Sequence, residues 1–168
     1  IRGVICGERS ASSITHEWQK VDDIRDHMLY FLENHDEQRI ASDFFAGNPW
    51  KGVPGMIVSA LLQQNPVMVY AGQEFGERGM DKEGFSGQDG RSTIFDYWTS
   101  DTVYKGFFNR DALTTDEKKL SLIYQGFLRF CNREKAVREG LTFDLMYVNH
   151  QSHQFNPHKQ FVFLRKAD

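Results

Sequence analysis

Met28-Leu29-Tyr30-Phe31-Leu32-Glu33-Asn34-His35-Asp36 is the stretch that decides the fold. Five consecutive apolar residues bounded by a polar run suit a strand buried on both faces, as in parallel sheets. Ionisable side chains then stand at the C-terminal end of that strand. In α/β barrels and open sheets this is the edge where ligands bind and chemistry happens. A plainer reading, a helix-capping Asp beside a surface His, fits the same residues until the flanking sequence is considered.

Downstream, a helix is expected from about Pro54 to Gln64, with Pro54 tolerated in the first turn and Asn65-Pro66 as the stop. Val67-Met68-Val69-Tyr70-Ala71 is a second buried-strand run ended by Gly72, starting 39 positions after the first. That is one βαβ unit, whose strands should be parallel. Upstream, residues 1–13 read as loop with an apolar patch at Val4-Ile5. Residues 15–27 read as helix, from the recurrence of Trp18, Val21, Ile24 and Met28. Residues 75–113 form a long irregular stretch with six glycines and eight aromatics, a composition that argues for a functional loop rather than disorder. Thr114 with Glu117 fits a capping box opening a helix whose apolar face is Leu120, Ile123, Tyr124, Phe127, Leu128 and Cys131. After Gly140 the period changes: Phe143, Leu145 and Tyr147 alternate with other residues, as Phe161 does with Phe163. Two antiparallel strands joined by a His- and Asn-rich turn are expected there. Two parallel strands apolar on both faces cannot form a stable sheet alone, so the chain reads as an incomplete α/β unit.

Composition narrows the function classes. The 168 residues carry 20 Lys+Arg against 23 Asp+Glu, a net charge of −3 that gives no electrostatic reason to expect a nucleic acid or an anionic membrane surface. No apolar run approaches the ~18 residues of a membrane span, and the N-terminus does not read as a signal peptide. The first residue is Ile1 rather than Met, which suggests a processed product or an excised piece. Cys6 and Cys131 are too few and too far apart for a disulfide framework, and they leave the compartment open. The 14 Phe, 6 Tyr and 3 Trp are an unusual aromatic load, useful both for a core and for stacking on sugars or bases.

Phe31 to Asp36 closely resembles the Phe-x-x-Asn-His-Asp motif on the seventh barrel strand of the α-amylase family of glycoside hydrolases, and Val67 to Glu74 resembles the family's eighth strand, an apolar run ending in Gly-x-Glu. The resemblance covers nearly the whole chain. It implies an α/β fold: the last strands and helices of a (β/α)8 barrel over residues 1–140, then the start of an antiparallel β domain over residues 141–168. A whole barrel needs ~250 residues, more than are present. By the same resemblance Asp36 accepts hydrogen bonds from sugar hydroxyls as the ring flattens toward an oxocarbenium ion, and His35 donates to the same sugar. Asn34, Arg39, Tyr97 and Trp98 are the further substrate-binding candidates. Retaining glycosidases need two carboxyls ~5–5.5 Å apart; in this family the nucleophilic Asp lies on the fourth strand and the acid Glu on the fifth, both expected before Ile1. Val4-Ile5-Cys6-Gly7-Glu8 mimics a strand ending in Gly-Glu, but only 28 positions separate Glu8 from Asp36. Two βα units at ~30 residues each do not fit there. Glu8 is therefore read as a loop residue after the sixth strand.

Arg39 can pair with an active-site carboxylate or form a surface salt bridge. Glu74, at the end of the eighth strand, is read as structural. Tyr97 and Trp98 can stack on a glucose ring, or pack the long loop. His150, His153 and His158 lie in a turn without Cys or acidic partners and are read as surface residues. The family's calcium site is built largely from parts absent here, so neither metal nor other cofactor is expected. Acidic residues between 77 and 96 are interleaved with basic ones and read as a solvated loop. The leading expectation is thus the C-terminal part of an enzyme acting on α-glucans or malto-oligosaccharides with retention, inactive in isolation. An extracytoplasmic location is compatible with the resemblance. The competing readings are a non-catalytic α-glucan-binding or structural fragment, and a metal-dependent phosphohydrolase built on His35-Asp36. Open strand edges lead to the expectation that the chain self-associates or pairs with the missing part of the barrel.

Overall fold

Ile40, Met56, Leu120 and Tyr124, from three separate stretches of sequence, meet with Leu32 in one buried cluster that fixes how the elements stack. The computed structural model describes residues 1–81, 88–92, 94, 100–149 and 152–168. In chain order the helices and strands are α1 (Arg2–Ile5), α2 (Ser13–Lys20), β1 (Tyr30–Phe31), α3 (Gly52–Leu61), β2 (Val67–Met68), α4 (Asp101–Phe108), α5 (Thr115–Arg133), α6 (Lys135–Glu139), β3 (Leu141–Asp144), α7 (Met146–Asn149) and β4 (Phe163–Lys166). Among the described residues they make two two-stranded sheets and no closed barrel.

β1 and β2 pair in parallel, Tyr30 opposite Val67 and Phe31 opposite Met68, with α3 between them in sequence. The βαβ unit is therefore present, with strands shorter than the apolar runs that encode them. Among the described residues β1 pairs with β2 alone. The expectation of burial on both faces holds for one face: Leu32 is buried in the cluster, whereas Leu29 is 47% and Phe31 39% exposed. α3 begins at Gly52, two residues before Pro54, which occupies the first turn where an N–H has no helical partner. At its exit Asn65 donates to the carbonyls of Arg25 and Met28 at 2.5 and 3.0 Å, tying the helix end to the segment that leads into β1. Gly55 lets α3 approach its neighbours closely, since a Cβ there would lie 2.8 Å from Ile5 Cδ1 and 2.9 Å from Ile1 Cγ2.

The helix expected over 15–27 stops at Lys20. Asp22 and Asp23 are poor helix formers; Asp22 instead pairs with Arg25 at 2.8 Å, and a single 3-10 turn follows at Arg25–His27. Val4-Ile5, read as loop, lies in the one-turn helix α1. Within the stretch read as irregular, α4 forms, and Val103 is fully buried. α5 starts as the capping box requires: Thr114 Oγ1 accepts from Glu117 N–H at 3.2 Å and Glu117 accepts from Thr114 N–H at 2.6 Å. Leu120 and Tyr124 face the core, while Ile123, expected on the same face, is 43% exposed.

β3 and β4 are antiparallel, with Leu141 opposite Lys166 and Asp144 opposite Phe163. β3 ends before Leu145 and Tyr147 because Asp144 accepts from Met146 N–H at 2.7 Å and turns the chain into α7. This hairpin docks on the helices through Arg165, which donates to the carbonyls of Leu62, Ala136 and Val137 at 3.2, 3.2 and 2.8 Å, while Thr142 donates to Leu62 as well. Cys6 and Cys131 are free thiols.

Candidate functional site

The turn after β1 is shaped by its own side chains. Asn34 Oδ1 accepts from the N–H groups of Asp36 and Glu37 at 2.8 and 2.9 Å, an Asx turn that reverses the chain immediately past the strand. His35 and Asp36 ride at its tip, His35 Nε2 lying 3.3 Å from Asp36 Oδ2. The Asp36 side chain is 77% exposed. From outside, Arg2 donates to the side chains of Glu37 and Gln38 at 3.1 and 2.9 Å.

Beneath the tip lies a buried ion pair. Glu33 and Arg39 are each 1% exposed, and Arg39 Nη1 donates to Glu33 Oε2 at 3.0 Å. The other oxygen, Glu33 Oε1, accepts from Ile40 N–H at 2.6 Å. Arg39 Nε donates to Ser92 Oγ at 2.8 Å, and Nη2 donates to the same hydroxyl and to the Ala71 carbonyl. Its guanidinium stands 4.2 Å from the centre of the Tyr70 ring. Arg39 N–H, finally, donates to the Gly90 carbonyl at 2.6 Å. The residues after β1, those after β2 and segment 88–92 thus meet on one guanidinium.

The electrostatics follow from burial. Desolvation pushes the Glu33 carboxyl above its ordinary value, with Arg39 and the Ile40 N–H pulling the other way. Burial likewise raises Tyr70, whose hydroxyl feels both the Arg39 and Asp36 charges. Asp36 acts also on Arg91, whose guanidinium is raised chiefly by its bond to Asp89. After β2, Gly72 takes φ +92°, and a Cβ there would meet Val103 Cγ2 at 2.8 Å. That bend opens the Gln73–Phe75 3-10 turn. Gln73, buried, donates to the Tyr124 hydroxyl at 3.0 Å and so joins the turn to α5; burial lifts that phenol to about 12. Glu74 accepts from Gly72 N–H at 3.1 Å, and its carboxyl is raised by burial.

Among the expected site residues, His35 and Asp36 are brought together at the surface. Asn34 lies beside them, with its carbonyl oxygen committed to the backbone. Arg39 is buried against Glu33 and is not in a surface salt bridge. Tyr97 and Trp98 lie outside the described residues, as does His150; His153 and His158 are exposed. Glu8 is exposed in the bend after α1. Glu77, read as part of a solvated loop, is in fact 2% exposed, its carboxylate accepting from Gly79 N–H at 2.8 Å and from the Ser100 hydroxyl. Glu33 and Ser92 were not singled out by sequence. The signal for Glu33 was an acid continuing an apolar run, with an Arg six positions on across a polar turn; Ser92 carries no local signal. No group of three or more His, Cys, Asp or Glu among the described residues is arranged to hold a metal ion, and no described helix is long and apolar enough to cross a membrane. No protein-family model, no curated protein and no solved structure matches this chain.

Proposed function

We propose that this chain is the C-terminal part of a retaining glycoside hydrolase of the α-amylase type, contributing a sugar-binding surface for α-glucans. Asp36 is the anionic acceptor for sugar hydroxyls and His35 the neighbouring donor. The nucleophile and the acid come from strands outside these 168 residues. One observation carries the reading: an exposed His-Asp pair, in the Phe31–Asp36 pattern, stands directly past the C-terminal end of a strand with a parallel neighbour. Polar groups at that edge are where such sheets act on ligands. Hydrogen bonds that Asp36 accepts from sugar hydroxyls, strengthening as the sugar flattens, would supply part of the transition-state stabilisation.

The test is calorimetric titration of the chain with maltoheptaose, alongside reducing-sugar release from soluble starch. Binding without release is expected from the wild type. Removing one charge-assisted hydrogen bond, at ~1.5–3 kcal/mol, should weaken binding by Asp36→Asn about tenfold or more. Identical affinity in wild type and Asp36→Asn would sink the assignment. Release that disappears in Asp36→Asn would mean that a complete catalytic site lies within this chain, with Glu8 or a loop carboxylate in play.

A further inference from the structure

A buried ion pair is weak ground for arguing stability, because desolvating both charges offsets most of their attraction. What the Glu33–Arg39 pair does contribute is geometry. Glu33 is the last residue before the Asn34–Gln38 turn and Arg39 the first after it, so the 3.0 Å contact between them closes the turn into a ring. The 2.6 Å bond from Ile40 N–H to Glu33 closes it a second time, one residue further on. On its other side the guanidinium is gripped by Ser92, by the Ala71 carbonyl and by the face of Tyr70. Four of the five N–H donors of Arg39 are engaged by these groups, and its charge lies beneath the exposed pair rather than beside it.

We propose that Glu33, Arg39 and Ser92 are positioning residues, a buried anchor that fixes where His35 and Asp36 stand relative to the residues following β2. Its relevance to sugar binding rests on the glycoside hydrolase reading above; the anchoring itself does not. Arg39 alone among the described side chains bonds all three of Glu33, Ala71 and Ser92. Lysine at this position keeps the charge and loses the fork. Removal of the Ser92 hydroxyl leaves the ion pair intact while freeing one side of the guanidinium.

The experiment measures backbone order parameters of the isotopically labelled 168-residue chain by NMR, together with maltoheptaose affinity, for wild type, Arg39→Lys and Ser92→Ala. In the wild type, residues 34–38 should be as rigid as α5, at about 0.85, and in Arg39→Lys they should fall below about 0.6 with α5 unchanged. Ser92→Ala, which carries no risk of stranding a buried charge, should lower them to an intermediate degree. Maltoheptaose affinity should drop about tenfold in Arg39→Lys, as expected when a supporting shell is loosened. The proposal is overturned if residues 34–38 keep their order in both variants, if α5 loses order along with them, or if, with a wild type that binds maltoheptaose, the turn loosens with no change in affinity. Should the wild type bind no maltoheptaose, the glycoside hydrolase reading fails, and the order parameters alone still decide whether the anchor holds the turn.

Discussion

Asn34, Glu74 and Arg39 show how much of a side chain's role is set by what surrounds it. All three are marked by sequence, and the chemistry of each is decided by surroundings that sequence patterning does not report. Asn34 sits in a motif that suggests a sugar ligand, yet its carbonyl oxygen holds the backbone N–H groups of Asp36 and Glu37. Glu74 makes the clearest prediction. Burial raises its carboxyl above the ordinary 4.5, with the Gly72 N–H, Arg39 and Arg110 opposing. A carboxyl raised by folding binds its proton more tightly in the folded chain. Its contribution to stability is therefore complete below pH 4.5 and lost as pH rises through the raised value. Glu74→Gln keeps an acceptor for Gly72 and cannot ionise. Its Tm should match the wild type near pH 4 and exceed it near pH 7. A variant less stable than wild type near pH 7 would mean that the two arginines outweigh burial.

Elements were legible where a local chemical signal marked them, and illegible where a partner decides. The capping box at Thr114 and Glu117 is read from two residues and recurs in space because both bonds lie within one turn. Thr114→Ala should accordingly cost about 1 kcal/mol, visible as a lowered urea midpoint with an unchanged slope; a changed slope would place the effect outside the helix start. The β1 and β2 runs are legible as strands with the correct mutual direction, whereas the ladder they form is only two residues long. α2 ended early because Asp22 took up a local ion pair, and β3 ended early because Asp144 took up a backbone N–H. Both are competitions between a short polar side chain and the backbone ladder, which apolar periodicity does not register. The anchor beneath His35 and Asp36 spans 53 positions from Arg39 to Ser92, a separation at which sequence spacing says nothing.

At the scale of the molecule, the apolar surface is unevenly covered. Arg165 and Thr142 hold the C-terminal hairpin against the ends of α3 and α6 with several directed bonds. The small parallel sheet is less well protected, since Leu29 and Phe31 face outward beside strands that each have a single partner among the described residues. Unpaired edges and exposed apolar side chains favour association with another copy. Sedimentation velocity should therefore show species larger than a 19.5 kDa monomer that dissociate on dilution. Leu29→Lys, a charge placed at the open edge, should shift them toward monomer; a single monomeric boundary at all concentrations would refute this.

The ring closed by Glu33 and Arg39 also constrains how such a chain can change over generations. Losing either partner alone strands a buried charge, a cost of ~3–5 kcal/mol that a marginally stable domain tolerates poorly. Replacing both together carries no such penalty. Substitution at these two positions should consequently come in pairs. Of the five residues between them, Glu37 and Gln38 can vary in kind far more readily than the turn can vary in length, because an insertion would pull the two ends of the ring apart.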